Sequence, residues 1–127
     1  MISFARPEFE VSIERADATT IVHVASELDL YTATQLTDVL RDLEGSTARI
    51  VLDVSELEFI DSAGLRLAVV QHQRATQDGF EFVIAGAEGN VLRVLRLTGL
   101  DVRLPLAPDV ASAVGDGRRN GSRPSGA

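Results

Sequence analysis

Arg49-Ile50-Val51-Leu52-Asp53-Val54-Ser55 and, four residues on, Phe59-Ile60-Asp61-Ser62-Ala63-Gly64-Leu65 are the two runs on which the reading of this chain turns. In the first, strand alternation puts Ile50, Leu52 and Val54 on one side and Val51, Asp53 and Ser55 on the other, the pattern of a strand buried on at least one face. Glu56-Leu57-Glu58 reads as a short turn. Phe59-Ile60 then lead to Asp61 or Ser62, either of which has the side-chain oxygen that caps a helix. Leu65, Ala68, Val69, His72 and Thr76 keep helical spacing behind it, and Asp78-Gly79 supply a stop. A buried strand that hands over directly to a helix is the repeating unit of a sheet with crossover helices.

The flanking sequence extends that unit in both directions. Phe9 to Ile13 alternates, Arg15-Ala16-Asp17-Ala18 is turn-like, and Thr20-Ile21-Val22-His23-Val24-Ala25 is rich in β-branched residues, which together predict an antiparallel hairpin. Thr32 and Gln35 have capping-box spacing, with Tyr31 and Leu36 placed as a hydrophobic staple, so a first helix is expected from Thr32. Leu36, Val39, Leu40 and Leu43 give its apolar face and Gly45 its end. Downstream, Phe80-Glu81-Phe82-Val83-Ile84-Ala85 is a strand and Glu88 to Thr98 a third helix, closed by Gly99 and Leu100. Asp101-Val102-Arg103-Leu104 reads as a short last strand, and Asp109 as the cap of a fourth helix running to Val114. The expectation is an α/β fold with a four- to five-stranded mixed sheet, antiparallel in its N-terminal hairpin and parallel thereafter, packed with about four helices. Residues 1–7 are expected to be an N-terminal segment, 8–114 the folded domain, and 115–127 a flexible tail.

Composition narrows the function classes. The 127 residues are 45% hydrophobic, 5% aromatic and 24% charged, the balance of one folded domain whose core is aliphatic. There is no cysteine, which excludes disulfides and thiolate chemistry. Glu8 and Glu10 interrupt the place where a secretory signal would be apolar, and no run has the length of a membrane span, so a cytoplasmic protein is expected. The net charge is −7, and every basic residue is an arginine. An acidic body disfavours nucleic acid and anionic lipid as partners and suits a protein with a basic face.

Catalytic patterns are scarce. No Gly-x-Ser-x-Gly elbow, phosphate-binding loop, dinucleotide fingerprint or zinc helix occurs in the chain. His23 and His72 lack metal-ligand spacing and read as packing or surface residues, and Asp53 as a structural residue that ends or flanks the strand beside the site. Asp61-Ser62-Ala63-Gly64 is different in kind, because it falls at a strand-to-helix corner where the first backbone N–H groups are unpaired. Ser62 there is an exposed hydroxyl, and small Ala63 and Gly64 beside it admit a close approach by a partner. The alternative is that Asp61 or Ser62 is only a cap and Gly64 only a corner residue.

Four segments in order, Ser26-Glu27-Leu28-Asp29-Leu30-Tyr31-Thr32-Ala33, Ile50-Val51-Leu52-Asp53-Val54-Ser55, Phe59-Ile60-Asp61-Ser62-Ala63-Gly64-Leu65 and Val94-Leu95-Arg96-Leu97-Thr98-Gly99-Leu100, together resemble a STAS domain of the bacterial anti-sigma factor antagonist family. The resemblance implies the STAS fold and a regulator that is not an enzyme. It implies that Ser62 is phosphorylated by a cognate anti-sigma factor that is also a serine kinase. Unphosphorylated protein then binds that anti-sigma factor and frees the sigma factor, and a serine phosphatase resets the phosphorylated form. Asp29, Asp61, Ser62, Ala63, Gly64 and Arg66 are the partner-binding candidates. The family usually has Gly where this chain has Ser26, and often Ser or Thr where it has Ala63. No metal, cofactor, nucleic acid or membrane is implied, and a monomer or weak homodimer is expected. A constitutive interaction or ligand-sensing subunit, with Ser62 only a helix cap, is the competing reading; a small enzyme with Ser62 as nucleophile would need a base within reach of the hydroxyl.

Overall fold

A computed structural model describes residues 3–6 and 9–115. Ser3–Arg6 (β1) pairs antiparallel with Phe9–Ala16 (β2), which pairs antiparallel with Thr19–Leu28 (β3). The β2–β3 connection is narrower than the four-residue turn expected: Ala16 pairs with Thr19, and Asp17 takes the left-handed conformation at φ 58° that short polar side chains tolerate. The β1 segment, read from sequence as an N-terminal extension, adds an edge strand to the sheet.

Helix α1 spans Leu30–Leu43 and starts earlier than the expected Thr32. Its cap is Asp29, whose side chain accepts from the Thr32 amide while the Thr32 hydroxyl accepts from the Asp29 amide. Thr32 is therefore the third residue of the helix, closing a capping box that Asp29 opens, and not the cap itself. Leu36 and Leu40 are buried, and Gly45 at φ 89° follows the helix end.

Strand β4, Arg49–Ile60, runs parallel to β3 without the turn expected at Glu56-Leu57-Glu58. β4 has twelve residues against ten in β3, and two bulges take up the difference, one extra residue between Asp53 and Glu56 and one between Leu57 and Phe59. Leu57 thus stays buried between exposed Glu56 and Glu58. Helix α2 covers Ser62–Asp78 and ends on Gly79 at φ 81°. Glu81–Ala85 (β5) lies parallel to β4 but pairs only with Arg49 to Asp53, so beyond Asp53 the ladder of β4 continues on the β3 side alone.

Helix α3 is Gly89–Leu97, closed by Gly99 and by the Leu100 amide donating to the Leu95 carbonyl at 2.9 Å. Residues 101–103 form a turn and not the last strand expected there, because the Asp101, Arg103 and Leu104 amides donate back to Leu95 and Leu100. The strand comes after Pro105, as Leu106–Ala107 (β6), parallel to β5. Asp109 accepts from the Ser112 amide at 2.7 Å and starts a helical stretch over 110–115. The expected flexible tail lies, beyond residue 115, outside the described residues.

The sheet order is β1-β2-β3-β4-β5-β6. The α/β architecture is that expected, an antiparallel hairpin followed by parallel crossovers. All three helices bury one sheet face, where Val22, Val24, Ile50, Leu52, Phe82 and Ile84 meet Leu36, Leu40, Leu67, Leu95 and their neighbours. On the opposite face a smaller cluster of Ile21, Val51, Ala85, Ala107 and Ala113 sits under the last helical stretch. Buried Arg49 ties that stretch down: its guanidinium donates to the Ala113 carbonyl at 3.1 Å and pairs with Glu81.

Candidate functional site

The last residue pair of the β3–β4 ladder is Leu28 with Ile60, and each is followed by an aspartate that caps a helix. Because parallel strands end side by side, α1 and α2 both begin at this edge of the sheet, Asp29 over one and Asp61 over the other. The edge is stitched by the Asp61 amide donating to the Leu28 carbonyl at 3.1 Å. The carboxylate of Asp29 takes the Thr32 amide at 3.0 Å, and this bond holds its pKa below the usual carboxylate range. One oxygen of Asp61 accepts from the Ala63 amide at 2.9 Å and the Gly64 amide at 3.2 Å.

Ser62 is the first residue of α2 and is exposed. Among the described residues its hydroxyl has no hydrogen-bond partner, and so no base is positioned on it. The cap is Asp61, which overturns the reading of Ser62 as a cap. Ala63 is half-buried beside it. Gly64 is buried, and a Cβ there would lie 2.6 Å from Ile60 Cγ1 and 3.0 Å from both Leu28 Cγ and the Leu28 carbonyl oxygen. Its lack of a side chain lets α2 sit down on the ends of β3 and β4, so the expected direct approach of a partner at Gly64 is replaced by an internal packing role. Arg66, one turn after Ser62, is exposed.

Large apolar side chains are exposed on the same elements: Leu30 and Tyr31 at the start of α1, Phe59 at the end of β4, and Val70 on α2. Leu30, Ala33, Ala63, Arg66, Leu67 and Val70 line a shallow groove of about 210 Å³ between the two helices. Ser26, at the approach to the site, has φ 75°, a left-handed conformation that glycine adopts without steric cost.

Two polar clusters were not legible in the sequence. On the sheet face away from the helices, His23 Nδ1 lies 2.6 Å from Asp53 Oδ2 and Nε2 lies 2.9 Å from Glu14 Oε1. Burial lowers the His23 pKa, but the hydrogen bonds and charges of Glu14 and Asp53 outweigh it and the net shift is upward. Asp53 therefore sits mid-strand in this cluster, with seven residues of β4 still to run before the corner, and does not end or flank the strand as expected. Separately, Glu44 at the end of α1 accepts from buried Gln71 at 2.9 Å and from Arg74 at 2.6 Å on α2. The signal that could have found the first cluster is strand register, since His23 pairs with Ser12 and Asp53. Among the described residues no group of three or more acidic or histidine side chains is arranged to hold a metal ion.

Comparison with known proteins adds identity to this geometry. The STAS domain model matches residues 10–113. An anti-sigma-B factor antagonist of Staphylococcus aureus is 32% identical over 80 residues, which is 62% of this chain and 74% of that protein. The protein of the same name from Listeria monocytogenes is 32% identical over 94 residues, 71% of this chain and 81% of that one. The crystal structure of an anti-sigma factor antagonist from Mycobacterium paratuberculosis superimposes with a TM-score of 0.78 at 28% identity, covering 91% of this chain and 99% of the other.

Proposed function

Because this chain belongs to the STAS domain family, with anti-sigma factor antagonists among its relatives, we propose that it acts as an anti-sigma factor antagonist through partner switching centred on Ser62. Unphosphorylated, it binds an anti-sigma factor that is also a serine kinase, and the sigma factor is released. In the kinase step the Ser62 hydroxyl oxygen bonds to the γ-phosphorus of ATP, the bond to the β-phosphate oxygen breaks, ADP leaves, and the hydroxyl proton passes to a base of the kinase. A serine phosphatase hydrolyses the phosphoester and resets the protein. On this reading the protein is a substrate and not an enzyme, works in the cytoplasm, and needs no cofactor. Among the described residues no helix is long and apolar enough to cross a membrane.

The observation that carries the proposal is the division of labour between Asp61 and Ser62. Asp61 alone caps α2, which leaves the Ser62 hydroxyl exposed with no structural duty among the described residues. A phosphate there stands at a helix N-terminus, where the macrodipole favours an anion, so the fold survives modification. Partner binding does not survive it. A hundredfold loss of affinity corresponds to about 2.7 kcal/mol, and an unpaired charge desolvated in an interface costs about 3–5 kcal/mol. Incubation with ATP and the cognate anti-sigma kinase, followed by mass spectrometry, is expected to place one phosphate on Ser62 and none on Ser62→Ala. Labelling of Ser62→Ala would sink the site assignment, and undiminished binding by Ser62→Asp would sink the charge switch.

A further inference from the structure

Ser62 and Arg66 are four residues apart on α2, both exposed, and so stand one above the other on the same helical face. Among the described residues Arg66 makes neither an ion pair nor a hydrogen bond. It lines the groove between α1 and α2 with apolar Leu30 and Val70, and the other charged residues lining that groove among the described residues are Arg41 and Arg74, with the Glu44 carboxylate beside them. Arg74 is held by Glu44. On a chain of net charge −7 this groove is a local basic strip with an apolar rim. A guanidinium in such a place is suited to a carboxylate or a phosphate, both of which it grips with two parallel N–H donors.

Resting on the reading of Ser62 as a phosphoacceptor, we infer that Arg66 is the residue that reads its state: it holds a carboxylate of the partner while Ser62 bears a hydroxyl, and folds back onto the phosphate one turn earlier when Ser62 is phosphorylated. The switch then has two parts. Phosphorylation adds about −1.5 to −2 charges and also withdraws from the partner the cation one turn along the same helical face. A partner segment that presents an acidic side chain between apolar ones, facing Leu30 and Val70, fits the unmodified groove and loses its counter-ion in the modified one. The two aspartates that cap the helices at this edge are engaged elsewhere, Asp61 by the Ala63 and Gly64 amides and Asp29 by the Thr32 amide.

The pairing is testable without any partner. Full-length protein carrying phosphoserine at position 62, installed during translation, is titrated by phosphorus NMR beside its Arg66→Ala, Arg66→Gln and Arg66→Lys counterparts. The second ionisation of phosphoserine lies at about 6, and Arg66 is expected to lower it by roughly half a unit relative to Arg66→Ala and Arg66→Gln, with Arg66→Lys between. Identical titrations in all four proteins would overturn the inference. With the anti-sigma kinase as probe, unphosphorylated Arg66→Ala is expected to bind about tenfold more weakly than wild type, and wild-type affinity in that variant would equally overturn it. If unphosphorylated wild type bound no such kinase, the anti-sigma reading would fail while the phosphorus titration still decided the intramolecular pairing, so the two failures are distinguishable.

Discussion

The amide of Asp61 donates to the carbonyl of Leu28 at 3.1 Å, joining the residue that caps α2 to the end of the strand that precedes α1. This bond extends the β3–β4 ladder one step past its last residue pair, so both helix starts are fixed to one rigid edge. Ser62 inherits its position from that edge.

Asp61→Ala is expected to lower unfolding stability by about 1 kcal/mol, because it leaves the Ala63 and Gly64 amides without their acceptor. Asp61→Asn keeps the accepting oxygen and should fall within a few tenths of wild type. Ser62→Ala should change stability little, since its hydroxyl bonds to nothing among the described residues. Urea denaturation of the three variants checks the order.

Gly64→Ala is expected to destabilise by about 1–3 kcal/mol even though alanine is the better helix former. The added methyl meets Ile60 Cγ1 at 2.6 Å and the Leu28 backbone at 3.0 Å, and the latter cannot move without disturbing the Asp61 bond. A urea midpoint at or above wild type would show that α2 has room to shift.

Ser26→Gly is expected to stabilise the protein by about 0.5–1 kcal/mol. Serine at φ 75° is strained, and relief of that strain exceeds the added chain entropy of glycine. A thermal or urea scan of the single variant measures it.

His23 should make stability fall with rising pH. Both ring nitrogens face carboxylate oxygens, so only the doubly protonated imidazolium satisfies Asp53 and Glu14 together. Its pKa in the fold is raised above the ordinary value of about 6.5, so the stabilisation is complete below that value and is lost as pH climbs through the raised one. Urea midpoints taken upward from pH 6 should show this step in wild type and not in His23→Gln.

The strands and helices of the parallel half were legible because their signals are local: alternation in Ile50, Leu52 and Val54, and left-handed stops at Gly45, Gly79 and Gly99. What sequence missed depends on register. The bulges that carry β4 past Glu56 to Ile60 leave no local mark, so two acidic residues around Leu57 looked like a turn. The His23 cluster joins three strands, and no single stretch contains it. At the site the candidate residues fell where expected in the chain, but their duties separated only in three dimensions, with Asp61 as cap, Gly64 as packing contact and Ser62 unencumbered.

The ladder between β4 and β5 stops at Asp53 while that between β3 and β4 runs on to Ile60. On the other side β2 stays paired with β3 as far as Ser26, so only the last two pairs, Glu27 with Phe59 and Leu28 with Ile60, stand clear of both neighbouring strands. These two pairs set the corner from which α2 starts, and Ser62 stands on it at the end of the sheet. A groundwork of this kind also lets the corner be resculpted for a different recipient while the sheet and its packed helices stay as they are.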